Sequence, residues 1–157
     1  MKANKTASEA MLNEPRELSV FQIGDLYCGI DIKGIQEINR YQDITPVTNA
    51  PSYIKGIINL RGNIITIIDM RAKFGLETTL EPHPDARILV VNDGEEQIGL
   101  LVDRMVDVVI AEPNDIEPPP SNIQGVAGTY FSNILKQKNR LVAILNTDEI
   151  LMAEENQ

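Results

Sequence analysis

One cysteine, Cys28, stands in the whole chain, so no intramolecular disulfide can form and no thiolate cluster can hold a metal. Tryptophan is absent and aromatic residues make up only 4%, which leaves no platform on which bases or sugars could stack. Cations are in deficit as well: 14 Lys and Arg face 23 Asp and Glu, a net charge of −9. A nucleic-acid binder needs a basic footprint to displace phosphate counterions, so that class is set aside, and the acidity favours solubility. No apolar run approaches the roughly 20 residues of a membrane span. The first residues, MKANKTASEAMLNEPRE, are polar and lack the apolar centre of a signal peptide. The expectation is a soluble, cytoplasmic protein without direct membrane insertion.

Catalytic equipment is equally scarce. The sole histidine, His83, lies between Pro82 and Pro84 and reads as an exposed loop residue. There is no G-x-S-x-G elbow, no H-E-x-x-H, no P-loop and no G-x-G-x-x-G opening a helix. Asp69 follows an apolar strand, but Met70 and Arg71 come next instead of Ser/Thr-Gly, so capping is its expected job. Asp103 and Asp107, with Arg104 between them, read as a solvated polar face, and Cys28 as a small core residue. No loop has the carboxylate density of a divalent-cation site. The expectation is a chain with no catalytic, cofactor-binding or metal-binding residue, which binds without reacting.

What is present is a one-domain length with 43% hydrophobic residues, arranged as short aliphatic runs separated by turn chemistry. LSVFQI and LYCGIDI flank Gly24-Asp25 as a hairpin. Ile32, Ile35 and Ile38 recur at helical spacing, predicting a short helix over IKGIQEIN that Gly34 weakens. A strand is expected over Ile44–Val47, then strands over Gly56–Leu60 and Ile64–Asp69 joined by Arg61-Gly62-Asn63. MRAKFGL reads as a helical turn ended by Gly75, and 77–85 as a polar connector. Strands are expected over Arg87–Asn92, Gln97–Val102 and Met105–Ala111, followed by the stiff EPPP of 117–120. A last hairpin pairs Gly128–Leu135 with Arg140–Leu145, and Thr147 is read as the N-cap of a terminal helix.

Part of this pattern recurs. GIDIKGIQEI (29–38) aligns without gaps on GLLVDRMVDV (99–108), pairing Ile35 with Met105, Glu37 with Asp107 and Ile38 with Val108. YIKGI (53–57) aligns on NIQGV (122–126), and NIITIID (63–69) on RLVAILN (140–146), with an insert around TYFSNILKQK in the second copy. Three matches in one chain order point to duplication. Halves this small are marginal alone and are expected to pack over a shared core, leaving a groove for a partner.

GIDIKGIQEI followed by APSYIKGIINLRGNIITIIDMRAKFGL strongly resembles CheW, the coupling protein of bacterial chemotaxis. The resemblance runs from Glu17 to Met152 and is most specific over Pro51–Gly75, where Gly56, Asn59-Leu60-Arg61-Gly62 and Asp69 match the family pattern. It implies an all-β fold with short helices, in which two SH3-like five-stranded β-barrel subdomains pack around a shared hydrophobic core. The expected organisation is a flexible segment 1–16, a CheW-like domain 17–152 of two interleaved subdomains, and a polar tail 153–157. No fused kinase or receiver domain is expected, because the chain ends shortly after its last strand.

The resemblance also implies a non-enzymatic adaptor. It would link the helical-hairpin tips of chemoreceptors to the regulatory domain of the histidine kinase CheA, in arrays at the membrane. Carried over by position, receptor binding falls on Ile35, Glu37, Ile38, Arg61 and Gly62, and kinase binding on Asp43, Ile44 and Val47. A second kinase contact is implied on the other barrel. Apolar anchors with polar groups at the rim suit the docking of an amphipathic helix, the charges fixing its register. Two alternatives are the same module in a surface-motility pathway and a small ligand-binding or hydrolytic barrel.

Overall fold

The computed structural model describes residues 14–152. Most of the lead-in expected over 1–16, and all of the tail expected over 153–157, lie outside the described residues; Arg16 already belongs to the first strand. In chain order the main strands are β1 (Arg16–Ile23), β2 (Leu26–Asp31), β3 (Ile35–Arg40), β4 (Ile54–Leu60), β5 (Asn63–Asp69), β6 (Arg87–Asp93), β7 (Glu96–Val102) and β8 (Arg104–Ala111). The two-residue strands β9 (Ile116–Glu117), β10 (Asn122–Ile123) and β11 (Val126–Ala127) precede β12 (Phe131–Lys136) and β13 (Leu141–Leu145). Helix α1 (Met70–Lys73) follows β5, and α2 (Thr147–Leu151) follows β13.

Two sheets of the same design result. One has the order β8-β1-β2-β13-β12-β9 and the other β3-β6-β7-β5-β4. In each, one inner pair is parallel, β2 with β13 and β5 with β7. Matching β8, β1, β2, β13 and β12 to β3, β6, β7, β5 and β4 superposes the two orders, so the duplication in the sequence is a duplication of topology. The strands are exchanged, however: of the five matched strands, each sheet takes two from one half of the chain and three from the other. The turns repeat too. Gly24 and Gly94 take φ of +60° and +65° at the first turn position after β1 and β6, the pattern of a type II′ hairpin.

Strands buried on both faces read as unbroken apolar runs, which explains RILVVN. In β6, Ile88 and Val90 face a cluster inside their own barrel with Ile58, Ile65, Ile67, Ala86 and Leu101, while Leu89 and Val91 face the core shared by both barrels. In β13, Val142 and Ile144 join Leu18, Val20, Ala111 and Leu135 inside the other barrel, and Ala143 and Leu145 turn to the shared core. Cys28 lies in that shared core, where burial, with the charge of Asp103 adding to it, pushes its thiol pKa far up. Helix α1 enters the same space. Asp69 caps it by accepting from the N–H groups of Arg71 (3.0 Å) and Ala72 (3.4 Å), and Gly75 ends it at φ +77°. Lys73 is buried with its ammonium 3.8 Å from the Tyr53 ring centre, and Phe74 packs 5.4 Å from both Tyr130 and Phe131.

Several expectations need correction. The helix over IKGIQEIN is a 3₁₀ turn, Ile32–Gly34, opening strand β3. The β-branched residues and Gly34 favour extended backbone, and burial alternates from Ile35 to Arg40 with a period of two. Ile44–Val47 is no strand: only Thr45 bridges, exchanging hydrogen bonds of 2.9 and 2.8 Å with Ile57. Pro46 has no N–H to extend the ladder, and Asn49 turns the chain at φ +60°. Gly128–Tyr130 is a 3₁₀ turn ahead of β12, and the cap of α2 is Asn146, which accepts from the Glu149 N–H at 3.2 Å, one residue before Thr147. The match of 53–57 to 122–126 fails at strand level, because β12 occupies the place of β4. The local match that holds is Asn59-Leu60-Arg61-Gly62 to Asn122-Ile123-Gln124-Gly125. In each, the Asn side chain accepts from the Gly N–H at 2.9 Å across a two-residue turn with both φ positive, a type I′ hairpin.

Asp103 is also no solvated residue. It accepts from the Gly24 N–H at 2.7 Å and from Arg71 Nε and Nη2 at 2.8–3.1 Å. It sits where the chain leaves one sheet for the other, so this bidentate pair ties the β1–β2 turn to α1 across the two barrels.

Candidate docking surface

The β4–β5 hairpin delivers Arg61 to solvent. Arg61 and Gly62 take φ of +52° and +87°, and the Asn59 carboxamide holds the Gly62 N–H, so the tip is fixed by backbone chemistry. The Arg61 side chain remains 67% exposed. Its Nη2 donates to Glu37 on β3, whose second carboxylate oxygen accepts from Asn39 Nδ2 at 3.1 Å. The hydrogen bond from Arg61, then that from Asn39, lower the Glu37 pKa below the ordinary glutamate range, against a smaller opposing effect of desolvation. Strands β3 and β4 are the two ends of their sheet order, so the pair closes the seam where that sheet curls onto itself.

Of the residues expected at the receptor face, the fold brings Glu37, Arg61 and Gly62 together. It separates the two isoleucines: Ile35 is half-buried against the shared core, whereas Ile38 is 45% exposed beside Gln36 and Arg40. Asp43, Ile44 and Val47 lie on the segment that runs along the free edge of β4. Asp43 is exposed, Val47 is 39% exposed, and Ile44 packs onto the internal cluster of its barrel. Gly56 makes that approach possible, since a Cβ there would lie 2.2 Å from the Thr45 carbonyl oxygen.

Sequence reasoning missed a second acid–arginine pair. Arg140 Nη2 contacts both oxygens of Asp107, at 2.9 and 3.0 Å. The signal was in the repeat, where Glu37 aligns with Asp107.

The residues with catalytic potential are committed to structure. Asp69, Arg71, His83 and Asp103 line a cavity of about 300 Å³, but Asp69 caps α1 and Arg71 and Asp103 bind each other. His83 is a half-exposed loop residue whose Nδ1 accepts from the Asp85 N–H at 3.0 Å. Among the described residues, no group of three or more His, Cys, Asp and Glu is arranged to hold a metal ion.

The family model described as "CheW-like domain" matches residues 17–155. The chemotaxis protein CheW of Treponema pallidum is 32% identical over 94% of this chain and 89% of that protein. The chemotaxis protein CheW of Helicobacter pylori is 37% identical over 83% of this chain and 78% of that protein. Among solved structures, the scaffolding protein TtCheW from Thermoanaerobacter tengcongensis superposes with a TM-score of 0.82 at 30% identity, covering 90% of this chain and 95% of that one.

Proposed function

The chain belongs to the CheW-like family, and from that premise we propose that it is a non-enzymatic adaptor coupling chemoreceptors to a CheA-type histidine kinase in chemotaxis. Its work is cytoplasmic, at receptor arrays on the membrane. The observation that carries this reading is the Glu37–Arg61 pair, held at an exposed seam by the Asn59 turn within the segment most like the family. A receptor tip is a helical hairpin, and one of its helices lays apolar side chains beside Ile38 while its polar groups engage Glu37 and Arg61. Gly62 keeps the tip free of bulk, and Ile35 supports β3 from the core side. Asp43, Ile44 and Val47, on the segment along the β4 edge, serve the kinase regulatory domain.

The test is a charge reversal. Arg61→Glu places two carboxylates together and is expected to weaken co-sedimentation with receptor-containing membranes by about tenfold or more, while binding of the kinase regulatory domain persists. Normal coupling of receptor to kinase by the reversed protein would refute the assignment.

A further inference from the structure

We infer that Asp107, Val108, Arg140 and Leu141 form a second docking surface, which fits an amphipathic helix with acidic flanks and duplicates the Glu37–Arg61 surface on the other barrel. This rests on the helix-docking reading of the first surface. The correspondence is one of strands and turns: the repeat pairs Glu37 with Asp107 and Ile38 with Val108, and Arg140 lies in the hairpin that matches Arg61's, opposite Asn63. Glu37 and Asp107 occupy equivalent strands, β3 and β8, each terminal in its sheet order. Arg61 and Arg140 sit in equivalent hairpin turns, ahead of β5 and β13. Each arginine bonds the carboxylate across its barrel seam.

The apolar flanks repeat as well. Ile38 and Val108 are 45% and 58% exposed, and the equivalent strand-start residues Ile64 and Leu141 are 61% and 58% exposed. An accidental exposed side chain has no reason to recur at its pseudo-equivalent position; a surface kept apolar in both copies does. Arg140 is held more firmly than Arg61: its Nε donates to Gln137 Oε1 at 2.6 Å and its guanidinium lies 5.2 Å from the Tyr27 ring centre. The tip around it, KQKNR (136–140), puts three cations in five residues of a chain whose net charge is −9. Lys136 is bonded to Glu117 at 2.9 Å, while Lys138 is exposed. A helix whose apolar stripe covers Val108 and Leu141, with carboxylates toward the exposed Lys138, complements this face in charge, while Arg140, largely covered and bonded to Asp107, braces the seam beneath it.

The experiment titrates the full chain with a chemoreceptor cytoplasmic hairpin fragment by calorimetry, for wild type, Arg140→Glu, Leu141→Ser and Arg61→Glu. Leu141 is solvent-exposed, so its replacement leaves the fold intact even if loss of the Arg140 seam does not. Arg140→Glu and Leu141→Ser are each expected to lower affinity about tenfold or more, and this result upholds the second surface even if Arg61→Glu binds normally and the first reading falls. Wild-type binding by both, with loss only in Arg61→Glu, overturns the second surface alone. Losses confined to the isolated kinase regulatory domain, or to self-association in sedimentation, overturn the helix as occupant.

Discussion

Arg61 meets two demands at once, a left-handed backbone and an exposed guanidinium. Replacing it with Ala keeps a non-glycine residue at φ +52° and removes only the cation. Because Arg61 is the leading cause of the lowered Glu37 pKa, the Glu37 titration midpoint followed by carboxyl NMR is expected to rise in Arg61→Ala. The sign of the stability effect follows from linkage. A depressed carboxylate pKa contributes stability above the ordinary glutamate range and loses it as pH falls through the lowered value. The melting difference between wild type and Arg61→Ala should therefore be present at neutral pH and vanish in acid; a difference that persists there would mean the arginine acts through packing.

At the scale of elements, one glycine positions the segment assigned to the kinase. Gly56 sits in β4 at φ +152°, with the Thr45 carbonyl and the Ile44 side chain against the place a Cβ would take. Gly56→Ala must push 43–47 off the strand edge. The expected cost is about 3 kcal/mol, read from the urea unfolding midpoint. Kinase binding should fall with it, while the Arg61 tip, fixed independently by Asn59, still binds receptor. Unchanged stability would show that the bridge at Thr45 is not what orders this segment.

At the scale of the molecule, the exchange of strands makes neither half of the chain a barrel. The first half lacks β6 and β7 to pair with β3 and β5, and the second lacks β1 and β2 to pair with β8 and β13. The connector between the halves carries the fully exposed Leu80 and is the place to cut. Fragments cut after Thr79 are expected to be unfolded separately by circular dichroism and to regain β structure on mixing. A fragment that folds alone would contradict the interleaving. The shared core argues the same way, since it draws Phe21 and Cys28 from one sheet and Leu89 and Leu100 from the other.

The sequence by itself determined most of the long strands and the duplication. Two-residue turns, β-branched runs and buried-both-faces strands are local chemistry, and the repeat kept its apolar positions. It also showed Asp69 as a cap; Glu37 and Arg61 were singled out by the family resemblance, and their pairing across the seam came from the fold. Three things were decided only by the tertiary structure. Helical spacing of isoleucines in IKGIQEIN gave way to a strand because pairing with β6 completes the extended backbone that its β-branched residues favour. Thr45 makes its one bridge to Ile57 because Gly56 leaves room for the approach, a contact that only the folded chain reveals. Asp103 and Asp107, alike in sequence, parted: the crossover buries Asp103 against Arg71, while β8 carries Asp107 to a seam with Arg140. Contacts 32 or 33 residues apart leave no trace in local pattern, because only the closing of the sheets brings their ends together.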